Sequence, residues 1–216
     1  MKVGTDGCLL GAWADAESPE HILDIGAGTG LMTLMLAQRF KNAQITAVEL
    51  ETNCAVQCKE NIINSLWAAR IETNNCAIQD FKTDKFFDLI VCNPPFFSNA
   101  FAAPNLERHT ARHDDSLSVA ELFSAVKTLL SPSGVFAVII PSVRLKDFVA
   151  GAQNESLFVK RKTNVKPTPA KEPKRVLLSF CFDKSKIEEN EMFIERSRGI
   201  YSEDFRSLLA DFYLNL

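Results

Sequence analysis

An asparagine, two prolines and a phenylalanine, Asn93-Pro94-Pro95-Phe96, end the apolar run 86–92. Two consecutive prolines remove two backbone donors and fix two φ angles, so a strand's hydrogen-bond ladder must stop there. The tetrapeptide is then expected to form a rigid loop with unpaired carbonyls, one carboxamide and one aromatic face. That set suits a flat base bearing an exocyclic amino group. The Asn93 oxygen and the Pro94 carbonyl would accept its two N–H bonds while Phe96 stacks on the ring. The alternative is a Pro-rich turn that caps a strand, with Phe96 buried.

A second signal lies upstream. The apolar segment His21-Ile22-Leu23-Asp24-Ile25 runs into Gly26-Ala27-Gly28-Thr29-Gly30 and then into the apolar-faced segment 31–37. Glycines permit positive φ and let backbone approach a ligand closely. The spacing is G-x-G-x-G after an acid, not the G-x-G-x-x-G of dinucleotide sites. Asp24 offers a carboxylate to an amino-acid moiety. Glu49, which ends the next apolar segment, is placed to take both ribose hydroxyls, as acids do in nucleoside-binding α/β folds. Glycine loop, Glu49 and Asn-Pro-Pro-Phe together predict an S-adenosylmethionine-dependent methyltransferase. The expected cofactor contacts are Asp24, Gly26, Gly28, Thr29 and Gly30, then Glu49, Leu50 and Asn93. Asp80, with Phe81, is placed to accept from the cofactor's adenine amino group, against the simpler reading of a helix cap or a solvated loop carboxylate. Lys2, Thr5 and Asp6 can fold over the cofactor or form an ordinary turn.

These residues need a scaffold that brings separate loops to one edge. Strand and helix signals alternate, which indicates a parallel sheet. Strands are expected near 21–25, 44–49, 70–74, 86–92 and 134–140, and helices near 30–40, 52–65 and 118–130. Ser118-Val119-Ala120-Glu121 is a capping box for the last of these. A short helix near 143–150 precedes two extended runs, 157–165 and 175–182, separated by a Pro-rich turn. They predict a closing antiparallel hairpin. The acidic stretch 183–198 reads as an exposed loop, and Ser202 as the cap of a final helix carrying Phe205, Leu208, Leu209 and Phe212 on one face. At 216 residues, 46% of them hydrophobic, the chain is expected to form one domain, 1–216, with a sizeable core. No apolar stretch is long enough to span a membrane and no signal peptide opens the chain. The six cysteines form no C-x-x-C pair and read as small buried hydrophobes in a reducing cytosol. The expected location is cytoplasmic.

The segments Lys2-Val3-Gly4-Thr5-Asp6-Gly7, Leu9-Leu10-Gly11-Ala12-Trp13, Leu23 to Gly30, Ala47-Val48-Glu49-Leu50 and Asn93 to Phe96 together resemble the bacterial tRNA1(Val) adenine-37 N6-methyltransferase family. Arg175-Val176-Leu177-Leu178, Tyr201-Ser202-Glu203 and Phe212-Tyr213-Leu214 extend the resemblance over nearly the whole chain. It implies an α/β, Rossmann-like class I methyltransferase fold, with a seven-stranded, mostly parallel sheet and a C-terminal antiparallel hairpin. It also implies S-adenosylmethionine as methyl donor, a tRNA substrate, and catalysis at Asn93, Pro94, Pro95 and Phe96. Family members carry a further segment, with aromatic and basic positions, ahead of the Lys-Val-Gly-Thr-Asp motif, and the present sequence begins at that motif.

The formal net charge of −3 argues against bulk attraction to nucleic acid, so a phosphate-binding surface must be local. Lys160, Arg161, Lys162, Lys166, Lys171, Lys174 and Arg175 form such a cluster, read as RNA phosphate contacts, foremost Lys160, Arg161, Lys162, Lys166 and Lys174, or as lysines that blunt an edge hairpin. Arg112 is a further RNA-facing candidate. His109-x-x-x-His113 lacks the Glu and the third ligand of a zinc site, so no metal is expected, and no obligate protein partner is expected either. Two other readings remain open: an N5-glutamine protein methyltransferase, whose substrate also presents an NH2 on an sp2 carbon, and an RNA-binding protein that keeps the fold without catalysis. A DNA adenine methyltransferase needs a recognition domain for which this length leaves no room.

Overall fold

The structure, a computed structural model, describes residues 4–95, 117–184 and 186–214. Helix α1, Thr5–Trp13, precedes strand β1, His21–Ile25. Then come α2 (Leu31–Arg39), β2 (Gln44–Glu49), α3 (Thr52–Ile63), β3 (Ile71–Asn75) and β4 (Phe87–Cys92). The second half holds α4 (Val119–Leu129), β5 (Leu130–Pro141), α5 (Leu145–Asn154), β6 (Phe158–Lys166), β7 (Arg175–Cys181), β8 (Glu188–Phe193), the short pair β9 (Glu195–Ser197) and β10 (Ile200–Tyr201), and α6 (Glu203–Leu209). The main sheet has the order β3-β2-β1-β4-β5-β7-β6-β8. Strands β1 to β5 pair in parallel, and β7 is antiparallel to both β5 and β6.

Each central strand is apolar on both sides, as a sheet covered on both faces requires. Ile22, Leu89, Val91, Ala137 and Leu177 pack with residues of α1, α2 and α6 on one face. Leu23, Ile25, Ile90, Val138 and Leu178 pack with α4 and α5 on the other. The second face centres on Phe123 of α4, whose ring meets Phe136, Phe148 and Phe180 edge-on at 5.5, 6.0 and 5.2 Å. Both expected caps form. Glu121 N–H donates to Ser118 Oγ while Ser118 N–H donates to Glu121 Oε2, and Phe205 N–H donates to Ser202 Oγ. Among the described residues no helix is long and apolar enough to cross a membrane.

Three expectations are corrected. The acidic stretch is not a loop: 188–193 forms β8, an eighth strand where seven were expected, parallel to β6. Its glutamates face the cations of β6, with Glu189 on Lys162 at 3.0 Å and Glu191 on Lys166 at 2.8 Å, and Met192 is its buried anchor. Opposite charge across neighbouring strands is favourable, so each segment supplies what the other's polarity lacks. The ordinary turn held open as the alternative for Thr5 and Asp6 is instead the start of helix α1, and Lys2 lies outside the described residues. Finally, β5 begins at Leu130, not Gly134, because Phe87 pairs with Leu130 across a register shift. Gly134 fits there because an added Cβ would lie 2.8 Å from the Phe87 carbonyl oxygen.

Because Phe123 is wholly buried against three rings, Phe123→Ala is expected to lower stability by about 3–5 kcal/mol. Urea unfolding checks this, and a loss below about 1 kcal/mol would move the centre of this face elsewhere.

Candidate active site

From β1 the chain moves outward through β2 and β3, then returns to lay β4 and β5 on the other side of β1. In open α/β sheets, ligands bind at such a reversal, outside the carboxyl ends of the strands. The loops leaving this point are 26–30 after β1 and 93–95 after β4. Ile25 is paired with Val48 on one side and Cys92 on the other. The glycine loop, Glu49 and Asn93 therefore leave the sheet at one level.

Gly26 has φ 72° and an added Cβ would meet nothing within 4 Å, so the loop's outer surface is open. Gly30, at φ 85°, serves packing: a Cβ there would lie 2.8 Å from Cys58 Sγ of α3. Gly28 N–H donates to Glu49 Oε2 at 2.7 Å, and Glu51 N–H to Glu49 Oε1 at 2.8 Å. Both oxygens are thus oriented, and each keeps a lone pair for a hydroxyl donor. Two residues that sequence reasoning missed support this arrangement. Asn75 Nδ2 donates to the carbonyls of Glu49 and Leu50 at 2.9 and 3.0 Å, and Asn61 Nδ2 donates to the Thr29 carbonyl at 2.9 Å. Only their positions, one ending β3 and one in α3, hint at such a role.

Asp24 differs from the expected open carboxylate: it is completely buried beneath the loop, on the α2 face. Thr33 Oγ1 donates to its Oδ2 at 2.6 Å, and Oδ1 has no partner among the described residues. Burial pushes this carboxyl up to about 7 against the Thr33 hydrogen bond, and the charge of Glu49 adds to the rise. Burial, then the charges of Asp24 and Glu49, pushes the Cys58 thiol up to about 12 and raises that of Cys92 similarly. Both therefore act as neutral packing groups. An orphaned acidic oxygen under an open glycine turn, with an oriented carboxylate beside it, fits a ligand having a cationic amino-acid end and a ribose.

Asn93 is half-buried and Pro94 buried, while Pro95 is exposed. Phe96, Arg112 and His109-x-x-x-His113 lie outside the described residues. A Cβ added at Gly7 of α1 would stand 3.9 Å from Asn93 Nδ2, so α1 walls the site. Thr5 is exposed at the start of α1, but the Asp6 carboxylate is taken by Arg175 Nε at 2.7 Å. Leu50 and Asp80 are exposed at the loops after β2 and β3. Phe81 is partly buried, with its ring 6.5 Å from Phe87.

Residues 7–144 match the family model described as "Methyltransferase small domain". The tRNA1(Val) (adenine(37)-N6)-methyltransferase of Phocaeicola vulgatus is 44% identical over 216 residues, covering 100% of this chain and 92% of that protein. The protein of the same description from Trichodesmium erythraeum is 44% identical over 99% of this chain and 91% of its own. This chain belongs to that methyltransferase family. Solved structures agree on the fold. A predicted O-methyltransferase from Agrobacterium tumefaciens superposes with a TM-score of 0.71 at 17% identity, covering 94% of this chain and 95% of its own. A glycopeptide N-methyltransferase complexed with S-adenosylmethionine does so at 0.54 and 14% identity, covering 76% and 87%.

The methyltransferase's expected phosphate contacts are reshaped by β8 and α1. The Arg161 guanidinium stacks 3.8 Å over the Trp13 ring and donates to the Trp13 carbonyl. Lys162 and Lys166 are paired with glutamates of β8. Lys160 and Lys174 are exposed. Lys174 lies beside the end of β5, where its carbonyl accepts from Ser142 N–H at 3.2 Å.

The buried Asp24 predicts a pH signature. An acid whose pKa is raised by folding holds its proton in the folded chain after the unfolded chain has released it. Its stabilising contribution is complete below 3.8 and is lost as pH climbs toward about 7. In the cofactor-free protein, the stability of wild type relative to Asp24→Asn should therefore fall across that window, by up to roughly 1.4 kcal/mol per pH unit. A difference that stays constant with pH would contradict the burial argument.

Proposed function

We propose that this protein transfers a methyl group from S-adenosylmethionine to N6 of an adenine in tRNA, adenine 37 of a valine tRNA, in the cytoplasm. The observation that carries this reading is the place of Asn93. Its carboxamide makes no hydrogen bond among the described residues, and it leaves the sheet level with the glycine loop and Glu49.

Bound there, S-adenosylmethionine supplies an electrophilic methyl group on a positively charged sulfur. Glu49 accepts from both ribose hydroxyls, the backbone at Gly26, Gly28 and Thr29 receives the amino-acid end, and Asp24 answers its positive charge from below. Leu50, Asp80 and Phe81 hold the cofactor's adenine, with Thr5 at the rim. The substrate adenine is already unpaired in an anticodon loop, so splaying it out is inexpensive. Phe96 stacks on it, a contact worth about 1–3 kcal/mol. Its N6 lone pair is delocalised into the ring and is a poor nucleophile. Asn93 Oδ1 and the Pro94 carbonyl accept from the two N6–H groups, which favours a tetrahedral nitrogen. They also stabilise the charge that develops as the new N–C bond forms. The N6 proton becomes acidic only after transfer and passes to water, so no side-chain base is needed. Much of the acceleration is positional. Lys174, Lys160 and Arg112 are assigned to phosphates.

A paired experiment separates the two halves of the site. Asn93→Ala is expected to abolish turnover with cofactor affinity nearly unchanged. Glu49→Ala is expected to weaken S-adenosylmethionine binding by about 1–3 kcal/mol, the range for lost charge-assisted hydrogen bonds. Calorimetry and single-turnover methylation of tRNA read the two effects. Near-normal methylation by folded Asn93→Ala, or unaltered affinity in Glu49→Ala, removes the corresponding assignment.

A further inference from the structure

Helix α1 is fastened very differently at its two ends. At the C-terminal end, Arg39 donates to the carbonyls of Gly11 and Ala14, and Arg161 donates to that of Trp13. Trp13 Nε1 donates to Thr163 Oγ1 of β6 at 3.0 Å, beneath the stacked Arg161 guanidinium. Among the described residues the N-terminal end is tied by fewer side-chain contacts, Cys8 to Tyr213 and Asp6 to Arg175. Gly4 provides no side-chain cap, and Gly4 and Thr5 are exposed. The first amides of a helix have no partner within it, so this turn has little holding it internally. Its side-chain tie to the sheet, among the described residues, is the Asp6–Arg175 pair at 2.7 Å.

The position of that tie matters. Arg175 opens β7, where it is paired with Pro141 at the end of β5 and Val165 near the end of β6. It also donates to the Lys174 carbonyl at 3.1 Å. Asp6 is next to Gly7, which faces the site: an added Cβ would stand in ordinary contact, 3.9 Å, with Asn93 Nδ2 and Leu31 Cδ2.

We infer that Asp6 and Arg175 form a latch that holds the first turn of α1 in place as the wall beside Asn93 and thereby limits the orientations open to the carboxamide that meets the substrate amino group. They are positioning residues for methyl transfer, and the inference rests on the catalytic reading of Asn93. Both side chains are part-exposed, at 27% and 36%, so the pair adds little to global stability. Its effect is local, and a misplacement of about 1 Å can slow a reaction about a hundredfold.

The test compares Asp6→Asn, Arg175→Gln and the double variant, with saturating S-adenosylmethionine and tRNA. Each single variant should lose about 10- to 100-fold in kcat, with melting temperature and cofactor affinity at wild-type values. The double variant should lose no more than the worse single, since one latch can be broken only once. Hydrogen exchange should quicken at the first bonded amides, 8 and 9, and stay unchanged at 11–13. Full kcat in folded Arg175→Gln, losses that multiply in the double variant, or weakened cofactor binding in Asp6→Asn alone each overturn the latch. The last result would make Asp6 a cofactor contact. If Asn93→Ala is inactive while the latch variants are normal, only the latch fails. If Asn93→Ala retains activity, the reading of Asn93 fails with it.

Discussion

Strand β1 is hydrogen-bonded in parallel on both sides, and every part of the site inherits its position from that pairing. Its register with β2 and β4 brings the glycine turn, Glu49 and Asn93 out of the sheet together. A slip of one residue in β1 would move its side chains to the opposite faces. Asp24 would then leave Thr33 for the α4 side, and Leu23 and Ile25 would lose their packing partners. Burial on both faces excludes that slip, so the same apolar residues that stabilise the sheet also set the geometry of the site. Functional loops held by rigid elements are positioned more sharply than loops held by other loops.

The site is also electrostatically poised. Two carboxylates, one buried and one half-buried, lie under and beside the glycine turn, and the charge of Glu49 adds to the burial that disfavours a charge on Asp24. The free protein holds Asp24 at a raised pKa with one oxygen unused. A ligand bringing positive charge relieves that unfavourable arrangement. The neighbouring thiols of Cys58 and Cys92 are kept protonated by the same burial and charge.

Much of this was legible in the sequence because the signals were local. The alternating strands, the glycine turn, the Ser118 capping box and the Pro-Pro stop each depend on a few neighbouring residues. What escaped depended on distant partners. The acidic strand β8 looks like a solvated loop until the lysines of β6 are placed opposite it. Those lysines in turn look like a free basic patch until β8 pairs with them. Asp24 reads as an available carboxylate, and only the packing of α2 shows it buried. Asn75 and Asn61 have no motif, since their roles are hydrogen bonds to backbone carbonyls about 26 and 32 residues away. Asp6 was legible as a residue of interest, but its partner lies 169 residues further along the chain.

In the proposed reaction, Asn93 and the glycine-loop side of the sheet deliver a methyl group to an adenine amino nitrogen in tRNA. The most direct measurement is transfer from S-adenosylmethionine carrying a labelled methyl group to total tRNA, total protein and DNA in parallel, with nucleoside and amino-acid analysis of the labelled product. Label is expected in tRNA alone, recovered as N6-methyladenosine. Label recovered as N5-methylglutamine in protein, or a methylated nucleoside other than N6-methyladenosine in tRNA, would contradict it.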